Sequence, residues 1–373
     1  MKRLLGVFAL LLAILCPAWA QVDASSPEGM ALGAITRETD AAKKQALLEE
    51  FVSKFPTSSQ AAWAWEQLQD GYLQAKDYSK ALEAGEKALA TDPDNPIPAY
   101  ENLKAAEGLN DVDATLKWAA ETSRIARKVI ASTKPDDADA KGRAEYDQQL
   151  DTYSDYAVFA AALKVTDPQK IIVITETLQQ RSPKSEYVGK LTGRYLAALQ
   201  QAGQKDKVGP AADKILQSDP NNQDALLAAA NFNMEHQNLD KSLALAAKLV
   251  EVLQAAKKPE EISDTDWKKK KDGILAVAYW IQGLDYYTKK DYQQSDKVLR
   301  QALPLVQDNK QLLGSVTFHL GVSDYELAKA GNKALMKDAL AFSEQSAALP
   351  GPLQAQAAEN IKTIKKAMGS AKK

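Results

Sequence analysis

The 373-residue chain has one cysteine, Cys16, and two histidines, His236 and His319. One cysteine excludes an intrachain disulfide, and we expect Cys16 to be absent from the mature protein, which leaves no thiol nucleophile and no thiolate metal site. Imidazole acid–base chemistry would require one of the histidines to lie beside a nucleophile or a carboxylate. We expect His236 in an exposed turn and His319 packed or half-exposed on a helix, so neither indicates a catalytic site.

The sequence also lacks the short motifs of the common enzyme families. It contains no GxSxG, HExxH, GxxxxGK[ST] or GxGxxG segment, which removes the usual nucleophile, zinc and phosphate sites. We therefore predict no catalytic residue, no metal ligand and no cofactor. The enzyme alternative that remains open rests on carboxylate pairs such as Glu66 and Asp70.

The sequence also has few strand-forming runs and a low net charge. The main apolar β-branched run, IIVI at residues 171–174, lies inside a helical pattern, and the chain is rich in Ala, Leu, Lys and Glu, which favour helix. The formal net charge at pH 7 is −2, so no nucleic-acid partner is expected. The fold class that we predict is all-α.

The N-terminus has the pattern of a secretory signal peptide over residues 1–20. Lys2 and Arg3 precede an apolar run at residues 4–15, and the segment AWA ends in a candidate cleavage site at Ala20. The apolar run is too short to span a bilayer. We therefore expect a mature protein that is periplasmic or secreted.

One sequence pattern occurs twice, as KDYSKALEAGEKALATDPDN at residues 76–95 and as KDYQQSDKVLRQALPLVQDN at residues 290–309. Counting from Ala62 as position 1 of a 34-residue unit, positions 4, 7, 11, 20, 27 and 32 are Trp65, Leu68, Tyr72, Ala81, Ala88 and Pro93. A second good copy starts at Ala276 and contains Gly283 and Tyr286, and a last, irregular copy contains Gly321.

This pattern resembles the tetratricopeptide repeat, W-x2-L-G-x2-Y followed by two alanines and a proline. Gln69 departs from it, because position 8 takes a small residue where the two helices of a unit cross. The resemblance implies a right-handed superhelical solenoid of antiparallel helix pairs.

The expected organisation beyond the signal peptide follows from the same spacing. It comprises a disordered or short helical segment at 21–39; an array at 40–256 with units starting near 62, 96, 152, 189 and 223; a charged insertion at 257–275; further units at 276–350; and a capping helix and tail at 351–373. Residues 134–143 are a second, turn-rich interruption, and either interruption could act as a hinge.

In such an array the first helix of each pair lines the concave groove, with positions 2, 5, 9 and 12 facing it. Aromatic residues recur at these positions, and aromatic side chains are favoured binding anchors. The candidate groove residues are Trp63, Tyr100, Tyr153, Tyr156, Asn231, Trp280, Tyr287, Phe318 and Tyr325. The other interpretation is that these rings pack against neighbouring helices.

The resemblance indicates a non-enzymatic scaffold that binds a protein or peptide partner in the groove. A clamp for a peptide's terminal carboxylate is not supported, because only Asn231 and scattered lysines match it. The alternative is an envelope assembly factor that contacts membrane or peptidoglycan through WKKKK at residues 267–271. Successive helical lysines point in all directions, so a solvated face explains that run equally well.

Overall fold

The computed structural model describes residues 22–133 and 138–370, and these residues form helices and no strands. The all-α prediction is confirmed, and IIVI lies within a helix. The 17 α-helices of the described residues are α1 Pro27–Arg37, α2 Ala41–Lys54, α3 Ala61–Gln74, α4 Tyr78–Thr91, α5 Pro96–Leu109, α6 Val112–Ser132, α7 Ala138–Lys164, α8 Pro168–Arg181, α9 Glu186–Gln201, α10 Val208–Ser218, α11 Gln223–Glu235, α12 Leu239–Ala255, α13 Asp264–Thr288, α14 Tyr292–Ala302, α15 Lys310–Lys329, α16 Met336–Ala347 and α17 Gln354–Ser370.

Helices that follow one another in the chain pack on one another. The close pairs include α3 with α4, α5 with α6, α11 with α12, α13 with α14 and α15 with α16, and the second helix of a pair also packs on the first helix of the next. First helices touch as well, as α3 touches α5 and α13 touches α15. The expected array of helix pairs is therefore present.

The chain divides into two compact units. The first unit contains the described residues up to Lys170 together with Ile174–Tyr187, and the second contains Ile171–Val173 together with the residues from Val188 onward. The division thus falls within α8 and near the start of α9, away from the two interruptions that the sequence suggested as hinges.

The turns between paired helices repeat at the spacing that the sequence predicts. In the first compact unit, a residue with left-handed backbone conformation follows the first helix of a pair at Lys76 and again at Asn110, 34 residues later. In the second compact unit, residues of the same conformation lie at Gly203 and Gln237, also 34 residues apart. The amide after each of these residues donates to a carbonyl five residues earlier, for example Asp77 N to Tyr72 O at 2.8 Å. This six-residue closure is the Schellman helix end, and an Asp or Asn in the turn caps several of the following helices.

The helix crossing within a pair is closed by one small and one large residue. In the α13–α14 pair Gly283 is small, and a Cβ there would lie 2.3 Å from Leu299 Cδ2. In the α3–α4 pair the order is reversed, since Gln69 is fully buried and a Cβ on Gly85 would lie 2.3 Å from Gln69 Nε2. That amide also donates to Asn102 Oδ1 at 3.0 Å. The departure from the repeat at Gln69 is therefore compensated on the partner helix.

The repeat-defining residues mostly lie in the core. Leu68, Tyr72, Ala81, Ala88, Gly283 and Gly321 are buried, Trp65 and Tyr286 are half-buried, and Pro93 is exposed just after α4. A repeated side-chain bond adds to this pattern in the second unit: Ser242 Oγ donates to Ala230 O and Ser295 Oγ donates to Gly283 O, both at 3.0 Å. Equivalent positions thus make equivalent contacts.

Both interruptions are shorter than the sequence suggested. Helix α7 begins at Ala138, so the end of the 134–143 segment is helical and residues 134–137 lie outside the described residues. Ser263 caps α13 by accepting from Asp266 N at 3.1 Å, so the helix begins within the predicted 257–275 insertion. The lysine run therefore lies in the first turns of α13. At the C-terminus, α17 buries Ala357 and Ile364, as a capping helix should.

One arginine holds three acidic groups together in the second unit. Arg300 contacts Asp296 at 2.7 Å, Asp324 at 2.9 Å and Asp338 at 3.3 Å. Asp324 is fully buried, and burial with the neighbouring Asp296 raises its pKa. A buried carboxyl without a cation is costly, so this contact is a principal electrostatic support of the pairing among α14, α15 and α16.

Candidate functional site

In the first unit, three of the predicted groove residues lie side by side. The rings of Tyr100 on α5 and Tyr153 on α7 meet edge to face at 5.4 Å between centroids, and Tyr153 lies 5.7 Å from Tyr156. Tyr187 extends the row, 5.9 Å from Tyr156, and stacks on Phe159 at 5.3 Å. We call Tyr100, Tyr153, Tyr156 and Tyr187 the tyrosine row. All four are half-buried. Their rings therefore pack together, and part of each side chain stays exposed to solvent.

The polar end of the tyrosine row is fixed by a lysine and a glutamate on α5. Lys104 Nζ donates to Tyr153 OH at 2.6 Å and pairs with Glu107 Oε2 at 3.0 Å, while Tyr153 OH donates to Glu107 at 2.8 Å. Burial, together with the charge of Glu107, raises the pKa of Tyr153, and burial raises the pKa of Tyr100 to about 12. Both phenols therefore stay protonated and can donate hydrogen bonds.

Three carboxyls lie on the neighbouring helices α3 and α5, Glu66 and Asp70 on α3 and Glu101 on α5, here called the carboxyl cluster. Glu101 directly follows Tyr100 of the tyrosine row. Glu66 Oε1 accepts from Asn95 Nδ2 at 2.6 Å, and Asp70 Oδ2 accepts from Gln74 Nε2 at 2.8 Å. Glu101 Oε2 is buried and has no hydrogen-bond partner in the described part of the chain. Burial with the charges of Asp70 and Glu66 raises the pKa of Glu101 to about 8.

Glu66 is perturbed in the same direction. Burial, with the charge of Asp92, raises its pKa to about 7. Among residues 22–133 and 138–370, no ion pair joins Glu66, Asp70 or Glu101 to a basic side chain, and Lys104 is already paired with Glu107. The carboxyl cluster thus has no basic partner, and Glu66 and Glu101 are partly protonated near pH 7 because their pKa values are raised.

The melting temperature is expected to fall between pH 7 and pH 8.5. Glu66, Glu101 and Asp324 are ionised throughout this range in the unfolded chain, because carboxyl pKa values there are near 4. The folded chain keeps these groups partly protonated, since their pKa values are raised. The folded state therefore binds more protons, and its stability decreases as the pH rises through the folded pKa values.

Thermal melts followed by circular dichroism at the two pH values measure this effect. Glu101→Gln should reduce the fall, whereas Glu83→Gln, at an exposed position on α4, should leave it unchanged. His319 affects stability in the opposite sense, because burial lowers its pKa. That effect falls between the folded pKa of about 4 and the ordinary histidine pKa of about 6.5, below the pH range compared. A melting temperature that stays constant or rises from pH 7 to 8.5 contradicts the assignment.

The second unit has an open pocket of about 340 Å³ at predicted groove positions. Trp280 on α13 and Ser315 on α15 line it, and Trp280 Nε1 donates to Ser315 Oγ at 2.9 Å. The lining is mainly apolar and also includes Val277, Leu312, Leu349 and Pro350. Leu349 and Pro350 come from the segment between α16 and α17, so the segment that leads into the capping helix closes one side of the pocket.

Other predicted groove residues of the second unit are packed around His319. Phe318 is buried and meets the His319 ring at 5.0 Å, and half-buried Tyr287 meets it at 4.7 Å. His319 Nδ1 donates to Ser315 O at 2.7 Å, and burial lowers the pKa of His319 to about 4. This imidazole is therefore neutral near pH 7 and supports the packing of Tyr287 and Phe318.

The remaining predicted groove residues make separate local contacts. Trp63 is half-buried against the core cluster that includes Ile35 of α1 and Phe51 of α2. Asn231 Nδ2 donates to Glu235 at 2.8 Å, and Lys329 Nζ lies 5.3 Å from the Tyr325 ring centroid. The structure thus brings together Tyr100, Tyr153 and Tyr156 in one unit and Trp280 with Ser315 in the other.

Several residues of the candidate site carry no signal in the repeat pattern. Glu101 occupies position 6 of the repeat unit that starts near 96, and only positions 2, 5, 9 and 12 are predicted to face the groove. Tyr187 lies just before the repeat unit that starts near 189. Phe159 is at position 8 of the unit that starts near 152, which is also not one of the groove positions 2, 5, 9 and 12. The aromatic run of α7, with Tyr146, Tyr153 and Tyr156 at helical spacing, is the signal that could have led to this surface.

Within the described residues no group of three or more His, Cys, Asp or Glu side chains is placed to hold a metal ion, and no helix is long and apolar enough to cross a membrane. No family model and no curated protein matches the chain. The described residues therefore define its class by fold alone, as an all-α array of helix pairs whose turns recur at a fixed spacing.

Proposed function

We propose that the protein is a non-enzymatic interaction scaffold of the cell envelope that binds a segment of a partner protein on the faces of its first helices. The observation that carries the proposal is the apolar pocket beside Trp280, since it lies at the groove positions of two successive first helices. Ligand pockets commonly have volumes of roughly 300–1,000 Å³ and apolar walls with a few polar groups. The Trp280 indole, held by Ser315, matches this description.

The envelope location rests on the sequence of residues 1–20, which lies outside the described residues. The resemblance to the tetratricopeptide repeat is part of the same proposal. It is supported by the left-handed turn residues 34 apart in each unit and by the equivalent Ser242 and Ser295 bonds. Repeat arrays of this type bind partners along an extended surface that successive units form together.

The alternative of a membrane or peptidoglycan contact through the charged insertion has less support. Lys268 pairs with Asp272 and Lys258 pairs with Asp264 at 2.8 Å, so part of the basic charge is balanced within the segment. Lys269 and Lys270 are exposed. Together with Lys257, which is also exposed, these two residues offer a small basic surface, whereas the Trp280 pocket offers a shaped apolar one.

Trp280→Ala is expected to weaken the binding of selected peptides by about 30-fold, because truncating an aromatic anchor typically costs about 2 kcal/mol. Random 12-residue peptides displayed on phage are panned against the full chain, and the enriched peptides are synthesised for affinity measurements. We expect enrichment of peptides that contain an apolar side chain able to enter the pocket.

Trp267→Ala is the matched control, because Trp267 is a half-buried tryptophan on the same helix, about 20 Å along the axis from Trp280. Circular dichroism checks that both variants keep their helicity. Equal binding by Trp280→Ala and the unmodified chain, or failure of any peptide to be enriched, would refute the proposal. Loss of binding only in Trp267→Ala would favour the charged insertion as the contact.

A further inference from the structure

The carboxyl cluster of the first unit lacks a counter-charge. Glu101 is half-buried, its Oε2 atom is buried without a partner, and the charges that act on it, those of Asp70 and Glu66, have the same sign. An unpaired buried carboxylate is unfavourable, and proteins normally pair such a group or bind a cation to it. In the free protein, Glu66 and Glu101 avoid this cost by remaining partly protonated. A bound cationic ligand would take the place of these protons.

The groups that surround Glu101 on every neighbouring element reinforce this imbalance. Asp92 precedes α5 and acts on Glu66, and Tyr146 on α7 is close enough for the Glu101 charge to contribute to raising the Tyr146 pKa. Lys104, on the same helix as Glu101, is engaged by Glu107 and Tyr153. On α7, the charge of Arg143 acts on Asp147, next to Tyr146. The described surroundings therefore supply carboxyls and phenols, and the cations Lys104 and Arg143 each interact with another group.

The chemistry of the cluster favours an organic cation. The described residues hold no metal-binding group of acidic or histidine side chains. Half-buried Tyr100 and Tyr146 place aromatic rings near the carboxyls, and aromatic rings attract ammonium and guanidinium groups, by about 0.5–2 kcal/mol per contact. Carboxylates beside aromatic rings are thus a suitable site for a lysine or arginine side chain.

The tyrosine row points to a peptide as the carrier of that cation. It continues from Tyr100 along α7, and Leu163, one of the few exposed large apolar residues of the described chain, follows Tyr156 by seven residues on the same helical face. A small free amine would contact only the carboxyls and would leave the tyrosines and Leu163 without a partner. An extended peptide would place a basic side chain in the carboxyl cluster and apolar side chains against the tyrosines and Leu163.

We propose that the first unit binds an extended partner segment whose lysine or arginine side chain enters the carboxyl cluster of Glu66, Asp70 and Glu101 beside the tyrosine row. This inference rests on the proposed scaffold function and adds the charge of the partner segment. It concerns the surface of α3, α5 and α7, whereas the Trp280 pocket lies in the second unit. Its test can therefore fail while the test at Trp280 succeeds.

The test uses three labelled nine-residue peptides that differ only at two central positions, Arg-Leu-Arg, Gln-Leu-Gln and Glu-Leu-Glu in a leucine- and glycine-containing sequence. Fluorescence anisotropy with the full chain measures their affinities. We expect the arginine peptide to bind at least tenfold more tightly than the glutamine peptide and the glutamate peptide not to bind. Equal binding of all three peptides overturns the inference.

Glu101→Gln locates the contact. Glutamine has the shape of the protonated acid, so the variant should fold normally, yet it should weaken the arginine peptide at least tenfold. Glu83→Gln, which removes an exposed carboxylate on α4, should bind that peptide as the unmodified chain does. Retained affinity in Glu101→Gln overturns the assignment of the cluster.

Protons released from the carboxyl cluster on peptide binding are a measurable effect that a purely structural role of Glu101 would not produce. Binding of the arginine peptide should strengthen about tenfold from pH 6.5 to pH 8.5 as the cluster loses its protons, and calorimetry in two buffers of different ionisation enthalpy should show protons released on binding. Both effects should be reduced in Glu101→Gln. Binding of spermidine with the affinity of the arginine peptide would overturn the peptide as occupant, and pH-independent affinity would overturn the role of the carboxyls.

Discussion

Replacing Arg300 with alanine is expected to lower the free energy of unfolding by about 3 kcal/mol, the low end for loss of one partner of a buried ion pair, because Arg300 is itself partly exposed. The change leaves Asp324 fully buried next to Asp296 without a cation. The melting temperature should fall by roughly 6–12 °C. The loss should be larger at pH 8.5 than at pH 6, because the buried carboxyl must then remain protonated against a higher pH.

Two further variants separate this effect from the loss of side-chain packing. Adding Asp324→Asn to Arg300→Ala should recover part of the stability, since the buried side chain is then neutral without having to hold a proton, and the two changes should be clearly non-additive. Arg124→Ala breaks an exposed pair with Glu121 on one helix, which should cost at most about 0.5 kcal/mol. Equal losses in Arg300→Ala and Arg124→Ala would show that the three-aspartate contact is not a principal support.

Gly283→Leu is expected to destabilise the α13–α14 pair by about 3 kcal/mol or more, at the upper end for overpacking a buried contact. A single Cβ at Gly283 already lies 2.3 Å from Leu299 Cδ2 and 2.4 Å from its Cγ. Leu299 is fully buried, so it has no free space to move into. Chemical denaturation followed by circular dichroism measures the loss.

Gly273→Leu is the matched control, because it is the same substitution on the same helix and no atom lies within 4 Å of a Cβ there. Leucine is the better helix former by up to about 1 kcal/mol, so this variant should be neutral or more stable. The exchange Gly283→Leu with Leu299→Gly copies the order of Gln69 and Gly85 and should recover most of the lost stability. A double variant less stable than Gly283→Leu alone would contradict the small–large rule.

Much of the fold was accessible from the sequence because its determinants are local. The aspartates and asparagines of the turns, Pro93 after α4 and the small residues at fixed spacing specify where helices end and which sides they bury. Gln69 was not predictable in this way. Its fit depends on Gly85 across the helix crossing, and the positional rule considers only one helix at a time.

The site was predictable in part. Tyr100, Tyr153 and Tyr156 were placed on one surface by helical spacing, and the structure brings their rings together. The burial of Phe318 around His319 was not evident, because it depends on the position of Tyr287 on another helix. Glu101 was missed for a similar reason: its unpaired state follows from which charges lie near it in space.

The reversed order of large and small residues at the helix crossings limits how this chain can be recombined. If α3 replaced α13, Gln69 would face Leu299 of α14, and the crossing has room for only one large side chain. If α13 replaced α3, Gly283 would face Gly85 of α4 and leave a void. A crossover between hairpins keeps each complementary couple intact. The hairpin, and not the single helix, is therefore the smallest piece of this chain that could be duplicated, deleted or transplanted with its own helix crossing intact.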